Sequence, residues 1–186
     1  MSAMTDAQGP GNAQGPRLGL SVATTAVMTS VTVVFCLFVR IPTGRGYLNL
    51  CDVAIYFCAF VFNPMVAMVS GALGTAVADI LSGYPQWALI SLVVHGAEGF
   101  CVAWVLHGKN SLWREFASAF TGVLIVAGGY FALGGLLLTG FGAALVEVPG
   151  NILQASVGAV LGFSVSRSVV RAYPPVSDLG IRTPVR

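Results

Sequence analysis

Asp52, Asp79, Glu98 and Glu147 lie inside or at the edges of long apolar runs, and His95 stands three residues before Glu98. An ionised carboxylate in hydrocarbon is costly unless it faces a cavity or finds a partner. Carboxylates with one imidazole could bind a small polar ligand, relay protons or hold a metal. Positions three and four apart share one side of a helix. Ser91, His95 and Glu98 therefore line up, as do Gly71, Thr75 and Asp79, and also Glu147, Asn151, Gln154 and Gly158. Asn151 and Gln154 combine donors with acceptors, which suits them to reading a heterocycle edge or hydroxyl groups. Plainer roles exist for the same residues. Asn151 and Gln154 can bridge helices, His95 and Glu98 can neutralise one another, and an acid such as Asp52 or Glu147 in the first turn of a helix is favoured by the macrodipole.

No metal centre, cofactor or enzymatic activity is expected. His95, Glu98, Asp79 and Glu147 could supply nitrogen and oxygen ligands, but there is no HExxH or ExxH, and His107 falls at the opposite end of its apolar segment. GxSxG and Walker-type glycine loops are also missing. Cys36, Cys51, Cys58 and Cys101 form no CxxC pair and read as packing residues.

The elements that must hold these groups are membrane helices. The chain is 56% hydrophobic and only 9% charged, a balance no soluble domain of 186 residues could bury. A net charge of +2 gives no reason to expect nucleic acid. Residues 1–16 are polar, rich in Gly, Pro and Gln, and read as a disordered tail without a basic n-region. A membrane domain over 17–171 and a C-terminal cytoplasmic tail over 172–186 complete the organisation.

Charge and turn punctuation places six apolar segments at about 18–40, 49–62, 65–82, 87–106, 116–138 and 147–170. The second is short, and one long helix kinked at Asn63-Pro64 is the alternative. Proline and the residue before it both disfavour continuing a helix there, so two helices are preferred. The distribution of basic residues does not decide. Six spans with a cytoplasmic N-terminus put Arg17, Lys109, Arg114, Arg167 and Arg171 inside against Arg40 and Arg45 outside. Five spans put Arg40, Arg45, Lys109, Arg114, Arg167 and Arg171 inside against Arg17.

Six spans bring Asp52, Asp79, the His95 face and the head of the sixth segment to the outer half of one bundle. Small residues recur at helix-packing spacing: Ala26 and Ser30 in the first segment, Ala67, Gly71, Gly74 and Ala78 in the third, Gly158 and Gly162 in the sixth. Internal packing explains such stripes. Ala26 and Ser30, extended by Ser21, Thr25 and Thr29, suit a docking face for a partner membrane protein. Tyr47, Trp87 and Tyr130 offer stacking surface near the polar groups, or interfacial anchors.

The stretch Arg40-Ile-Pro-Thr-Gly-Arg-Gly-Tyr-Leu-Asn-Leu-Cys-Asp52 resembles the loop after the first helix in substrate-binding S components of energy-coupling factor (ECF) vitamin transporters, in particular the riboflavin and hydroxymethylpyrimidine subgroup. Gly71-Ala-Leu-Gly-Thr-Ala-Val-Ala-Asp79, then Leu81-Ser-Gly-Tyr84, His95-Gly-Ala-Glu-Gly99, Asn151 and Gln154 are similar to the family in the same order. The resemblance covers about 18–170 and implies an all-α, six-helix integral membrane bundle with both termini cytoplasmic, in a prokaryotic plasma membrane. It implies no enzyme. A water-soluble vitamin or precursor is expected near the outer face, at Tyr47, Asn49, Asp52, Asp79, His95, Glu98, Glu147, Asn151 and Gln154. A transmembrane T component, docked on the first helix through Ala26 and Ser30, and two ABC ATPases are the implied partners.

Two residues depart from the family pattern: Cys51 stands where a glycine is frequent, and His95 where a lysine is. A lysine is a fixed cation, whereas a histidine can be neutral and both donate and accept. Several acids around one neutral histidine favour a neutral or cationic heterocycle, such as a pyrimidine or pyridine precursor, with riboflavin as a further candidate. A self-contained proton-coupled transporter titrating Glu98 or Asp79 is the alternative, although the chain shows no convincing internal repeat.

Overall fold

A computed structural model of the chain describes residues 14–42, 47–107 and 111–176. Helix α1 (Gln14–Phe38) leads into a short antiparallel ribbon of β1 (Ile41–Pro42) and β2 (Tyr47–Leu48), with Ile41 opposite Leu48 and Pro42 opposite Tyr47. Then come α2 (Cys51–Val61), α3 (Pro64–Leu81), α4 (Ala88–Leu106) and α5 (Leu112–Gly129). The last of these continues as a π-helical segment, Tyr130–Thr139, before α6 (Phe141–Ala172). Residues 1–13 and 177–186, which carry most of the expected tails, lie outside the described residues, as do Thr43–Gly46 of the loop motif and Lys109.

The break between α2 and α3 falls where the sequence places it, and its chemistry is local. Asn63 is extended and its side chain accepts a hydrogen bond from the Val66 N–H, while Pro64 takes the first helical position. An Asx N-cap followed by proline satisfies one free amide and needs no donor from the next residue. The described residues therefore form six helices. Five are long and apolar enough to cross a membrane. The exception is α2: 11 residues rise about 16 Å, roughly half of a hydrocarbon core. Ten of those residues are buried, so α2 is a half-length helix wrapped by the others.

Two boundaries differ from the sequence reading. Helix α5 starts at Leu112, because Ser111 accepts from the Arg114 N–H and caps it. Helix α6 starts at Phe141 and carries Pro149 in its interior, where the sequence reading opens it at Glu147. Gly140, at φ 76°, makes the turn that lets α6 begin so soon after the π-helical segment.

Close packing is set by the small-residue stripes on α3 and α6. A Cβ on Gly71 would stand 2.7 Å from the His95 carbonyl oxygen, and one on Gly162 2.6 Å from the Tyr56 Cβ. Backbones approach that closely only where a side chain is missing, as expected when lipid supplies no hydrophobic drive. Ala26 and Ser30 face outward instead. Ser21, Thr25 and Thr29 turn partly into the bundle, where the Thr hydroxyls donate back to the Ser21 and Thr25 carbonyls.

Successive helices alternate in direction. One end gathers the β ribbon, the α3–α4 turn and the start of α6; the other is closed by a core of Tyr56, Val61, Val66, Val102 and Phe163. At that far end Arg167 pairs with Glu115, and the Arg114 guanidinium donates to the His107 carbonyl.

Candidate functional site

A cavity of about 380 Å³ opens at the ribbon end of the bundle. Its walls come from four places: the β2–α2 loop (Tyr47, Leu48, Asn49), the α3–α4 region (Asp79, Tyr84, Trp87, Ser91), Tyr130 of the π-helical segment, and the head of α6 (Glu147, Gly150, Asn151, Gln154). The convergence has a physical origin in α2. Because that helix is short, the loop before it drops into the bundle, where lining a cavity lets irregular backbone sit at membrane depth.

The loop is tied down by side chains. Asn49 Oδ1 accepts from the Cys51 N–H at 2.7 Å and opens α2, while the Asn49 N–H donates to Gln154 Oε1 at 2.9 Å. Gln154 Nε2 donates to Asp52 Oδ2 at 2.8 Å, so one amide fastens the loop to α6 and to the head of α2. The Tyr47 hydroxyl donates to Asp79 Oδ1 at 3.0 Å and lies 3.2 Å from Ser82 Oγ. Partial burial, the largest cause, pushes the Tyr47 phenol well above its ordinary value, so it stays a donor. Arg40 lies over the Tyr47 ring, 5.6 Å from its centroid, and Tyr84 packs on the same ring at 5.5 Å.

Six of the nine expected ligand residues line the cavity: Tyr47, Asn49, Asp79, Glu147, Asn151 and Gln154. Asp52, His95 and Glu98 do not. They are 0%, 2% and 0% exposed and form a compact cluster beneath the floor. His95 Nδ1 stands 2.8 Å from Glu98 Oε2 and 3.5 Å from Asp52 Oδ1, while Nε2 points to Cys51 Sγ at 3.8 Å. Oδ1 of Asp52 and Oε1 of Glu98 accept no hydrogen bond from the described residues, and the two carboxyl groups face each other. Cys51 belongs to this cluster, although its sequence context suggested only packing. The sequence reading brought Asp52 and the His95 face to the same half of the bundle; that Cys51 joins them, and that they meet beneath the cavity and not on its wall, was not visible.

Trp87 and Tyr130 meet at the cavity wall with centroids 6.0 Å apart, and Tyr130 also packs edge-on against His95 at 5.6 Å. The Tyr130 hydroxyl is 2.6 Å from Ser91 Oγ. Ser91, Tyr84, Ala143 and Val146 also line the cavity, Ser91 from the same α4 face as His95. Among the described lining residues two are acids, Asp79 and Glu147, and none is Lys or Arg. The arrangement suits a small aromatic ligand, neutral or cationic, stacked on rings and hydrogen-bonded at its edges.

Comparison with known proteins gives a consistent picture. Residues 20–171 match the family model described as ECF-type riboflavin transporter, S component. The chain is 34% identical over 140 residues to an uncharacterized protein of Pyrococcus woesei, covering 75% of this chain and 93% of that protein. It is 31% identical over 149 residues to the thiamine precursor transporter HmpT of Lactococcus lactis subsp. cremoris (strain MG1363), covering 78% of this chain and 85% of HmpT.

Proposed function

The chain belongs to the S component family of ECF-type riboflavin transporters, and from that premise we propose that it captures a water-soluble vitamin or vitamin precursor in the cavity at the ribbon end of the bundle. The observation that carries the reading is the cavity itself: aromatic walls, edge-reading amides and two acids, with no fixed cation among the described lining residues. That chemistry favours a heterocycle bearing amines or hydroxyls over a phosphorylated or dicarboxylate compound. Similarity to a thiamine precursor transporter points the same way. Riboflavin, named by the family, is the competing ligand to be tested beside it.

The delivery scheme follows the family. Both termini are cytoplasmic and the cavity faces outward. The exposed Ala26 and Ser30 face of α1 docks on a transmembrane T component, and two ABC ATPases supply the energy. Mass spectrometry of small molecules released from protein purified in detergent, out of cells grown on rich medium, tests the ligand. A stoichiometric vitamin or precursor supports the proposal. An empty protein that also binds none of riboflavin, thiamine or the thiamine precursors overturns it. Uptake reconstituted with and without a T component and ATPases tests the energising scheme, and uptake by the chain alone would favour the proton-coupled alternative.

A further inference from the structure

The cluster beneath the cavity floor has the donor set, spacing and charge of a metal site. Cys51 Sγ, one Asp52 carboxylate oxygen and one His95 ring nitrogen all lie within 4.8 Å of one another. Two of the separations are specific. Sγ stands 3.8 Å from His95 Nε2 and 3.6 Å from Asp52 Oδ2. In a tetrahedral site with metal–sulfur, metal–nitrogen and metal–oxygen bonds of about 2.3, 2.1 and 2.0 Å, those separations come to about 3.6 and 3.5 Å. For these two pairs the atoms need to move by only a few tenths of an ångström, and the third pair lies within 4.8 Å.

A second observation points to a missing positive charge. Asp52 Oδ1 and Glu98 Oε1 are buried and accept no hydrogen bond from the described residues. A third concerns the histidine. Glu98 Oε2 takes Nδ1 at 2.8 Å, which orients the ring and leaves the Nε2 lone pair directed at Cys51. A carboxylate behind the imidazole is the usual way a metal-binding histidine is fixed in one tautomer.

We propose that Cys51, Asp52 and His95 bind one divalent cation of the zinc or cobalt(II) class beneath the ligand cavity, with Glu98 as the positioning residue behind His95. A thiolate, an imidazole and a carboxylate together select borderline divalent ions over magnesium or calcium. On binding, the Cys51 thiol gives up its proton to solvent and sulfur bonds the metal; the dication then balances the thiolate and the Asp52 carboxylate. The route in is the cavity. Gln154 lines it and reaches both Asp52 Oδ2 at 2.8 Å and Cys51 Sγ at 3.8 Å, so this amide is the layer between ligand and metal. The site does not depend on which vitamin, if any, the cavity holds.

Cobalt(II) titration of the full chain, purified in detergent and stripped with chelator, tests the proposal. One equivalent should produce a thiolate-to-cobalt charge-transfer band in the near ultraviolet and tetrahedral ligand-field bands in the visible. Zinc should displace both. Cys51→Ser should abolish the charge-transfer band, Cys101→Ser should leave it intact, and Glu98→Gln should weaken binding by about tenfold or more. Bands that survive in Cys51→Ser, or cobalt bound without a thiolate band, would show a different ligand set and overturn the assignment. A wild-type chain with no bands at all would overturn it independently of any variant, and would leave protons shared among Asp52, His95 and Glu98 as what neutralises the cluster.

Discussion

Replacing Gln154 by Leu removes the one side chain that fastens the β2–α2 loop to α6 and to the head of α2. Two strong hydrogen bonds are lost, that from the Asn49 N–H at 2.9 Å and that to Asp52 Oδ2 at 2.8 Å, together with the long, weak one to Cys51 Sγ at 3.8 Å. A neutral bond of the first kind contributes about 1 kcal/mol and a charge-assisted one about 1.5–3 kcal/mol, so the loop loses about 2.5–4 kcal/mol of anchoring. Water reaches the half-buried Asn49 more easily than the buried Asp52 and offsets part of the first loss. If the anchored loop is the binding-competent state, ligand affinity falls by the drop in its population. At about 1.4 kcal/mol per decade that is about tenfold at the least and several hundredfold at the most. The assay is quenching of Trp87, which lines the cavity, by ligand added to protein in detergent. Gln154→Glu keeps the acceptor for Asn49 but sets a second acid against Asp52, so it should bind ligand no better than Gln154→Leu. Affinity within about twofold of wild type for Gln154→Leu in a folded protein would refute the anchoring argument.

The glycine contacts give a paired test of stability by thermal unfolding in detergent. Gly71→Ala sets a Cβ 2.7 Å from the His95 carbonyl, and overpacking of about 1–3 kcal/mol should outweigh a helix-propensity gain of about 1 kcal/mol. Gly128→Ala meets nothing within 4 Å and should raise the melting temperature; the opposite order would mean that α3 and α4 are not so close. Asn63→Ala should cost about 1 kcal/mol through loss of the cap at Val66, seen as a lower melting temperature with ligand stoichiometry unchanged. Tyr47→Phe removes the donor to Asp79 and should weaken ligand binding by about three- to tenfold, read in the same fluorescence titration. Ala26→Trp combined with Ser30→Trp, on an outward face of α1, should block co-purification with a T component while ligand binding is retained.

Much of the architecture was legible because its signals are local. Asn63-Pro64 carries its own cap and break, and the apolar runs carry their own lengths. Charge bias did not point to six spans, since the basic residues near the ends split five against two for six helices and six against one for five. The ribbon of β1 and β2 gave no sequence signal, being two residues on each side and held by the bundle around it. The start of α6 was misplaced because Glu147 reads as the charge that opens the segment, whereas the helix begins at Phe141 and carries both Glu147 and Pro149 inside it. At the candidate site, helical spacing grouped Ser91 with His95 and Glu98, and Glu147 with Asn151 and Gln154. Depth was legible only in part. Spacing along one helix cannot say which of its polar residues meets a cavity and which meets another helix, and so Asp52, His95 and Glu98 were not separated from the residues that line the wall.

The depth of that cluster has a consequence for movement of cargo. Gly71 touches the His95 backbone and stands ten residues from Leu81, the end of α3, which places the cluster about 15 Å below that end of the helix, about half the thickness of a hydrocarbon core. A molecule resting on the floor above it has already travelled a good part of the way across. Beneath lies a buried core of Tyr56, Val61, Val66, Val102 and Phe163 packed against one another. If the chain carries its ligand inward as proposed, the remaining distance is not a journey along a pore: either that core is taken apart, or the whole helical body turns and carries its passenger with it.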